Sequence, residues 1–113
     1  MATEGIEGVF VETHNWGRAA RFFRALGFEV DESAGDTSRV LRNGDGPYIV
    51  LAEVPADRKP ETHAILTVAD ADAFRPDPVV EVATPFEEHH GIKLMTVRDP
   101  DGRTWSVQAP GAA

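Results

Sequence analysis

The chain has 113 residues, 42% of them hydrophobic, no cysteine, and 19 acidic against 11 basic side chains for a formal charge of -8. That length suits one domain with a single core, too small for separate catalytic and cofactor domains. The lack of cysteine excludes disulfides, thiolate metal sites and cysteine nucleophiles, and the acidic balance with no outstanding Lys/Arg cluster argues against a nucleic-acid partner. No apolar run approaches the roughly 18 residues of a membrane span, and the start Met1-Ala-Thr-Glu-Gly has neither a basic nor an apolar leader region, so the chain reads as cytoplasmic.

Taken in order, Gly8–Thr13 alternates loosely between apolar and polar strand formers and predicts a half-buried strand. Asn15 is an N-cap candidate. Trp16, Ala19, Ala20, Phe23 and Leu26 then recur at helical spacing until Gly27 supplies a left-handed stop. Phe28–Val30 and Ser38–Arg42 read as short strands, and the turn Asn43-Gly-Asp-Gly-Pro47 leads into a strand over Tyr48–Val54. The segment 55–62, with two prolines and four charges, carries no apolar period and reads as a linker.

His63–Val68 predicts another strand. Asp70 is a second N-cap candidate, but Pro76 and Pro78 limit the helix after it to one or two turns. Val79–Ala83, Ile92–Val97 and Thr104–Gln108 supply three more strands, the last after the turn Asp99-Pro-Asp-Gly102. Gly8–Asn15 overlays His63–Asp70 at an offset of 55, and Asn43–Gly46 overlays Asp99–Gly102 at an offset of 56. A near-constant offset over two motifs is an internal repeat. It predicts an α+β fold of two βαβββ modules, at about 6–54 and 63–110, pairing around a groove.

Val9–Phe28, with Thr-His-Asn-Trp-Gly at its centre, and Val97–Gln108 resemble the vicinal oxygen chelate superfamily, which includes glyoxalases, bleomycin-resistance proteins and dioxygenases. The resemblance runs from about Gly8 to Pro110. It implies paired βαβββ modules in a cup-like mixed sheet around a cavity, commonly in a homodimer. It also implies four metal-ligand positions, which fall here on Gly8, Val50, His63 and Ser106. Only His63 is a ligand-type residue, and one imidazole cannot hold a divalent ion against water. The expectation is therefore no metal and no cofactor.

If His63 and Ser106 face the groove, alternation adds Ile65, Thr67, Thr104 and Gln108, and the repeat adds Phe10, Glu12, Tyr48, Val50 and Ala52. Trp105 and Val107 then face the core. His63 has two readings: an acid/base group in the groove, with Glu12 as a second catalytic candidate, or a strand-end histidine bonded to backbone. His89-His90 reads as surface loop, with His90 placed to close one end of the cavity, and His14 as a solvated turn residue. No phosphate loop, triad or nucleophile elbow is recognisable.

Three functions compete on these residues. The first is a metal-independent small-molecule-binding protein that sequesters a drug or metabolite, with a cationic aromatic ligand favoured by the acidic charge. The second is a lyase, isomerase or dioxygenase-like enzyme using His63 and nearby polar groups. The third is a non-catalytic interaction protein whose groove is filled by side chains.

Overall fold

The structure, a computed structural model, describes residues 2–31, 39–89 and 91–111. It is an α+β fold with strands β1 (Ile6–Thr13), β2 (Glu29–Val30), β3 (Arg39–Arg42), β4 (Tyr48–Glu53), β5 (Thr62–Thr67), β6 (Glu81–His89), β7 (Ile92–Arg98) and β8 (Thr104–Pro110), and one helix among the described residues, α1 (Trp16–Ala25). The chain divides into two compact units, Gly8–Thr62 and His63–Ala113 with Met1–Glu7.

In the first unit the strands run in the order β2-β3-β4-β1. β1 is parallel to β4, with Gly8 opposite Tyr48, and β3 is antiparallel to both β4 and β2. Leu41, Ile49 and Leu51 alternate onto the face that meets Ala20, and Val11, Trp16, Ala19, Phe23 and Phe28 pack around them. α1 owes its limits to its two ends. Asn15 is extended and its side-chain oxygen accepts the Arg18 N–H at 3.0 Å, while the Trp16 N–H donates to Glu53 at 2.8 Å. At the other end Gly27 has φ 102°, its N–H bonds the Arg24 carbonyl, and the Phe28 N–H bonds that of Phe23. The Phe23 and Phe28 rings meet at 6.0 Å, completing a Schellman stop with its apolar contact.

Leu26 departs from its predicted role. It is the C-cap rather than a core residue and is 60% exposed, because the chain leaves the helix before its apolar stripe returns to the sheet.

In the second unit the order is β5-β8-β7-β6. The first strand is again parallel to the last, followed by the third and the second, so the sequence repeat reproduces one topology. Its core holds Val68, Ala71, Phe74, Met95, Val107 and Ala109, with Leu66, Phe86 and Val97 packed against it. The Glu4 N–H donates to the Thr67 carbonyl, and the Thr67 N–H to that of Gly5, which ties the N-terminal segment to β5.

Two expectations are corrected here. The short second helix is a turn closed by one Phe74 N–H to Asp70 carbonyl bond, and the side chains of Ala71 and Phe74 cover the sheet in its place. The strand expected over Val79–Ala83 instead spans Glu81–His89, so His89 ends a strand rather than lying in a loop. Pro85 hid this continuation. It falls where the register against β7 shifts between Thr84 and Glu87, on the outermost strand, where a missing N–H removes no ladder bond. His90 and Ser38 lie outside the described residues. No helix among the described residues is long and apolar enough to cross a membrane.

Candidate functional site

In each unit strand alternation separates a core face from a second face, and the candidate residues share the second. In the first unit Val11, Ile49 and Leu51 point to the core, so Phe10 and Glu12 on β1 and Tyr48, Val50 and Ala52 on β4 point away from it. All five are half-buried. Tyr48 lies across the strand pair: a Cβ built on Gly8 would come within 2.6 Å of the Tyr48 carbonyl oxygen and 2.7 Å of its ring. The Arg42 guanidinium sits 5.1 Å from the ring centroid, a cation–π arrangement that already places a positive charge on this face.

Glu12 is committed to its own module. Its carboxylate side chain is only 8% exposed, with one oxygen 2.8 Å from Arg58 Nη2 and the other accepting the Glu61 N–H at 3.2 Å. The Glu12 N–H in turn donates to the Glu61 carbonyl, and His14 Nε2 lies 2.6 Å from the Arg58 carbonyl oxygen. The segment read as a plain linker is thus fastened along β1. Both oxygens of the proposed second catalytic residue serve that fastening, and exposed His14 belongs to it rather than standing free in a turn.

In the second unit Leu66 on β5, Val68 just after it, and Val107 and Ala109 on β8 supply the core, so His63, Ile65, Thr67, Thr104, Ser106 and Gln108 lie on the other face. His63 Nε2 and Ser106 Oγ are hydrogen-bonded at 2.8 Å, the imidazole tautomer deciding which donates. Ser106 is 9% exposed and Ile65, directly opposite it, 4%, while His63 is half-buried, so the hydroxyl end of the pair is the one taken from solvent. Gln108 Nε2 donates to Glu7 at 3.2 Å. His63 is therefore bonded to a side chain, which the reading of a backbone-bonded strand-end histidine did not foresee.

Trp105 is half-buried, and its indole N–H donates to Asp99 at 3.1 Å. This bond, before any other contact, holds the Asp99 carboxyl below its ordinary value. Partial desolvation opposes it, and the Arg103 and Asp101 N–H groups and the Arg103 charge reinforce it. Sequence reasoning also missed an open depression of about 390 Å³ lined by Arg24, Gly27, Phe28, Glu29 and Val30, none of them a candidate residue.

No family model and no curated protein matches the sequence. Solved structures do match it. A Legionella pneumophila chain described as an NAD-dependent benzaldehyde dehydrogenase superposes with a TM-score of 0.64 at 13% identity, over 90% of this chain and 96% of that one. A glyoxalase/bleomycin resistance protein/dioxygenase superfamily member from Vibrio splendidus 12B01 gives 0.61 at 17% identity, over 96% and 99%. The chain has the glyoxalase/bleomycin-resistance/dioxygenase superfamily fold. A catechol 2,3-dioxygenase shares it at a TM-score of 0.57 and 16% identity, and this chain, 96% covered, spans 42% of that enzyme.

The metal implied by the superfamily fold can be tested against its four positions. Gly8 has no donor and its space is taken by the Tyr48 ring, Val50 is aliphatic, and the Ser106 hydroxyl is bonded to His63. Among the described residues no three His, Asp or Glu side chains converge. This donor set does not fit a divalent ion, which needs several convergent N or O ligands.

Proposed function

We propose that this chain is a metal-independent small-molecule-binding protein of the bleomycin-resistance kind, sequestering a drug or metabolite. The observation that carries the reading is the wall of β5 and β8, where the His63–Ser106 pair stands beside Ile65, Thr67 and Thr104. A few fixed polar groups in an apolar setting are the usual make-up of a ligand site. The half-buried Phe10, Tyr48 and Val50 offer apolar surface in the other module. Arg42 over Tyr48 alters the expected ligand: a cation on that ring face would have to displace the guanidinium, so neutral and anionic aromatics belong in the test beside cationic ones. We further propose a cytoplasmic homodimer, since open sheet edges favour pairing.

Calorimetry against bleomycin-type drugs and a panel of aromatic compounds tests the proposal. A specific ligand should lose about 1 to 3 kcal/mol of affinity on Phe10→Ala or Tyr48→Ala, the scale for a large buried apolar side chain. Ser106→Ala should separate the two walls. No ligand tighter than about 1 mM, some 4 kcal/mol of binding, or a ligand indifferent to all three substitutions, overturns it. Elemental analysis should find no stoichiometric metal. A second reading, a metal-free lyase or isomerase, is favoured by the His63–Ser106 bond alone, because an imidazole paired with a hydroxyl can move a proton. The burial of Ile65 and Ser106 also supports a face filled by side chains, and an absence of every ligand would leave that reading standing.

A further inference from the structure

The paired turns of the repeat differ in how firmly their groups are held. Asn43-Gly44 opens the first, and Asp101-Gly102 closes the second. In both, a side-chain carbonyl carbon stands next to a glycine nitrogen, the arrangement from which a succinimide ring can close, because glycine has no Cβ to obstruct the approach. In the second turn that closure is opposed twice: the Gly102 N–H donates to the Asp99 carbonyl at 2.9 Å, and the Asp101 carboxylate is paired with Arg103 at 2.8 Å. In the first turn nothing comparable holds either group. Asn43 and Gly44 are exposed, and among the described residues neither the Asn43 side-chain amide nor the Gly44 N–H makes a hydrogen bond. Gly44 has φ 61°, and a Cβ there would meet nothing within 4 Å. Asn15, the other asparagine of the chain, is the opposite case: its side-chain oxygen accepts the Arg18 N–H at 3.0 Å, and the Trp16 nitrogen that would have to attack it donates its proton to Glu53 at 2.8 Å.

We propose that Asn43 is a site of spontaneous deamidation. The Gly44 nitrogen attacks Asn43 Cγ: the N–Cγ bond forms, the Cγ–Nδ2 bond breaks, and ammonia leaves with the proton from Gly44. Water then opens the ring at either carbonyl. Cleavage at Cγ leaves aspartate, and cleavage at the main-chain carbonyl carbon leaves isoaspartate, which carries an extra carbon into the backbone. Both products place a carboxylate where the chain had a neutral amide. Asn43 Nδ2 lies 3.4 Å from the point a Gly27 Cβ would occupy, so the new charge arises at the C-terminal end of α1, where carbonyl groups already concentrate negative partial charge. The isoaspartyl form also lengthens the turn that joins β3 to β4. Deamidation therefore loosens the first unit. Asp45-Gly46 is equally exposed, but an ionised carboxylate is a poor electrophile, and closing and reopening its ring leaves the mass unchanged.

The experiment incubates the full chain in warm, mildly alkaline buffer, folded and in urea, and follows it by peptide mapping with mass spectrometry. The peptide holding Asn43 should gain the mass of exchanging NH for O, with isoaspartate confirmed by its enzymatic methylation. Because no hydrogen bond restrains either reacting group, folding should slow the Asn43 reaction by less than about tenfold, the factor that about 1.4 kcal/mol would impose. Asn15, held at both groups, should be slowed by more than about tenfold. Asn43→Gln, whose ring closure would need a larger ring, should keep the fold by circular dichroism and lose the reaction. Aged protein should melt below fresh protein, and Asn43→Asp should reproduce the part due to charge. A folded chain whose Asn43 peptide stays unchanged would overturn the proposal, whatever happens in urea, and so would a folded chain in which Asn15 reacts as fast as Asn43. Equal melting temperatures for wild type and Asn43→Asp would refute the placing of the new charge at the end of α1.

Discussion

Replacing Gly8 by alanine tests the closed first-strand position, because two opposing effects leave the sign of the result informative. On an open strand, Gly→Ala at a compatible backbone stabilises by about 0.5 to 1 kcal/mol, chiefly by restricting the unfolded chain. Gly8 is not open: the new methyl would stand 2.6 Å from the Tyr48 carbonyl oxygen and 2.7 and 2.8 Å from two of its ring carbons. The ring could swing aside by leaving Arg42, but the carbonyl belongs to the β4 backbone and cannot. Overpacking of this kind costs about 1 to 3 kcal/mol, so the net change centres on a loss of about 1 kcal/mol, or roughly 4 to 8 °C in melting temperature. Gly17→Ala is the control. Its Cβ would meet only Asn15 at 3.6 Å, an ordinary contact, and it should raise the melting point. Thermal and urea unfolding followed by circular dichroism measures both. A Gly8→Ala protein as stable as wild type, or more stable, would refute the account of Tyr48 as the occupant of that position.

Leu41 is fully buried and Leu26 is 60% exposed, although the sequence offers both as apolar residues of regular elements. Urea unfolding should show Leu41→Ala losing about 2 to 5 kcal/mol and Leu26→Ala changing stability by no more than about 0.5 kcal/mol. Asp99 has a folded-state pKa below its unfolded one, so its contribution to stability is present above the ordinary aspartate range near pH 4 and is lost as pH falls through the folded value. Trp105→Phe removes the first cause of that depression; carbon-detected titration should find the Asp99 carboxyl moved upward, and an unchanged midpoint would show that the indole bond does not hold it.

Local signals proved the most legible. Asn15 and Gly27 mark the ends of α1 by capping chemistry that acts within a few residues, and the turns at Gly44 and Gly102 occupy the left-handed backbone their sequences suggest. The repeat was readable because both copies of the strand order answer to the same alternation. Which face each described candidate residue takes followed from the same period of two. What the sequence hid is what distant segments decide. Arg58 reaches Glu12, Arg42 reaches Tyr48, and neither pairing has a spacing that announces it. β6 was hidden for a different reason: proline is a sound stop signal inside a sheet and a weak one on its outermost strand.

The fastening of residues 55–61 along β1 bears on how such a chain could be re-cut. A joint between two copies of a repeat is where one would open a circular permutant, trim an insertion or expect a protease to enter, since joints are ordinarily slack. Here the joint is stitched by the Glu12 carboxylate, held by Arg58 and the Glu61 N–H, by one main-chain bond from the Glu12 N–H to the Glu61 carbonyl and by the His14 ring on the Arg58 carbonyl, so opening it would strand a carboxylate of which only 8% is exposed. The better cut is the turn around Gly44, where a side chain would meet nothing within 4 Å.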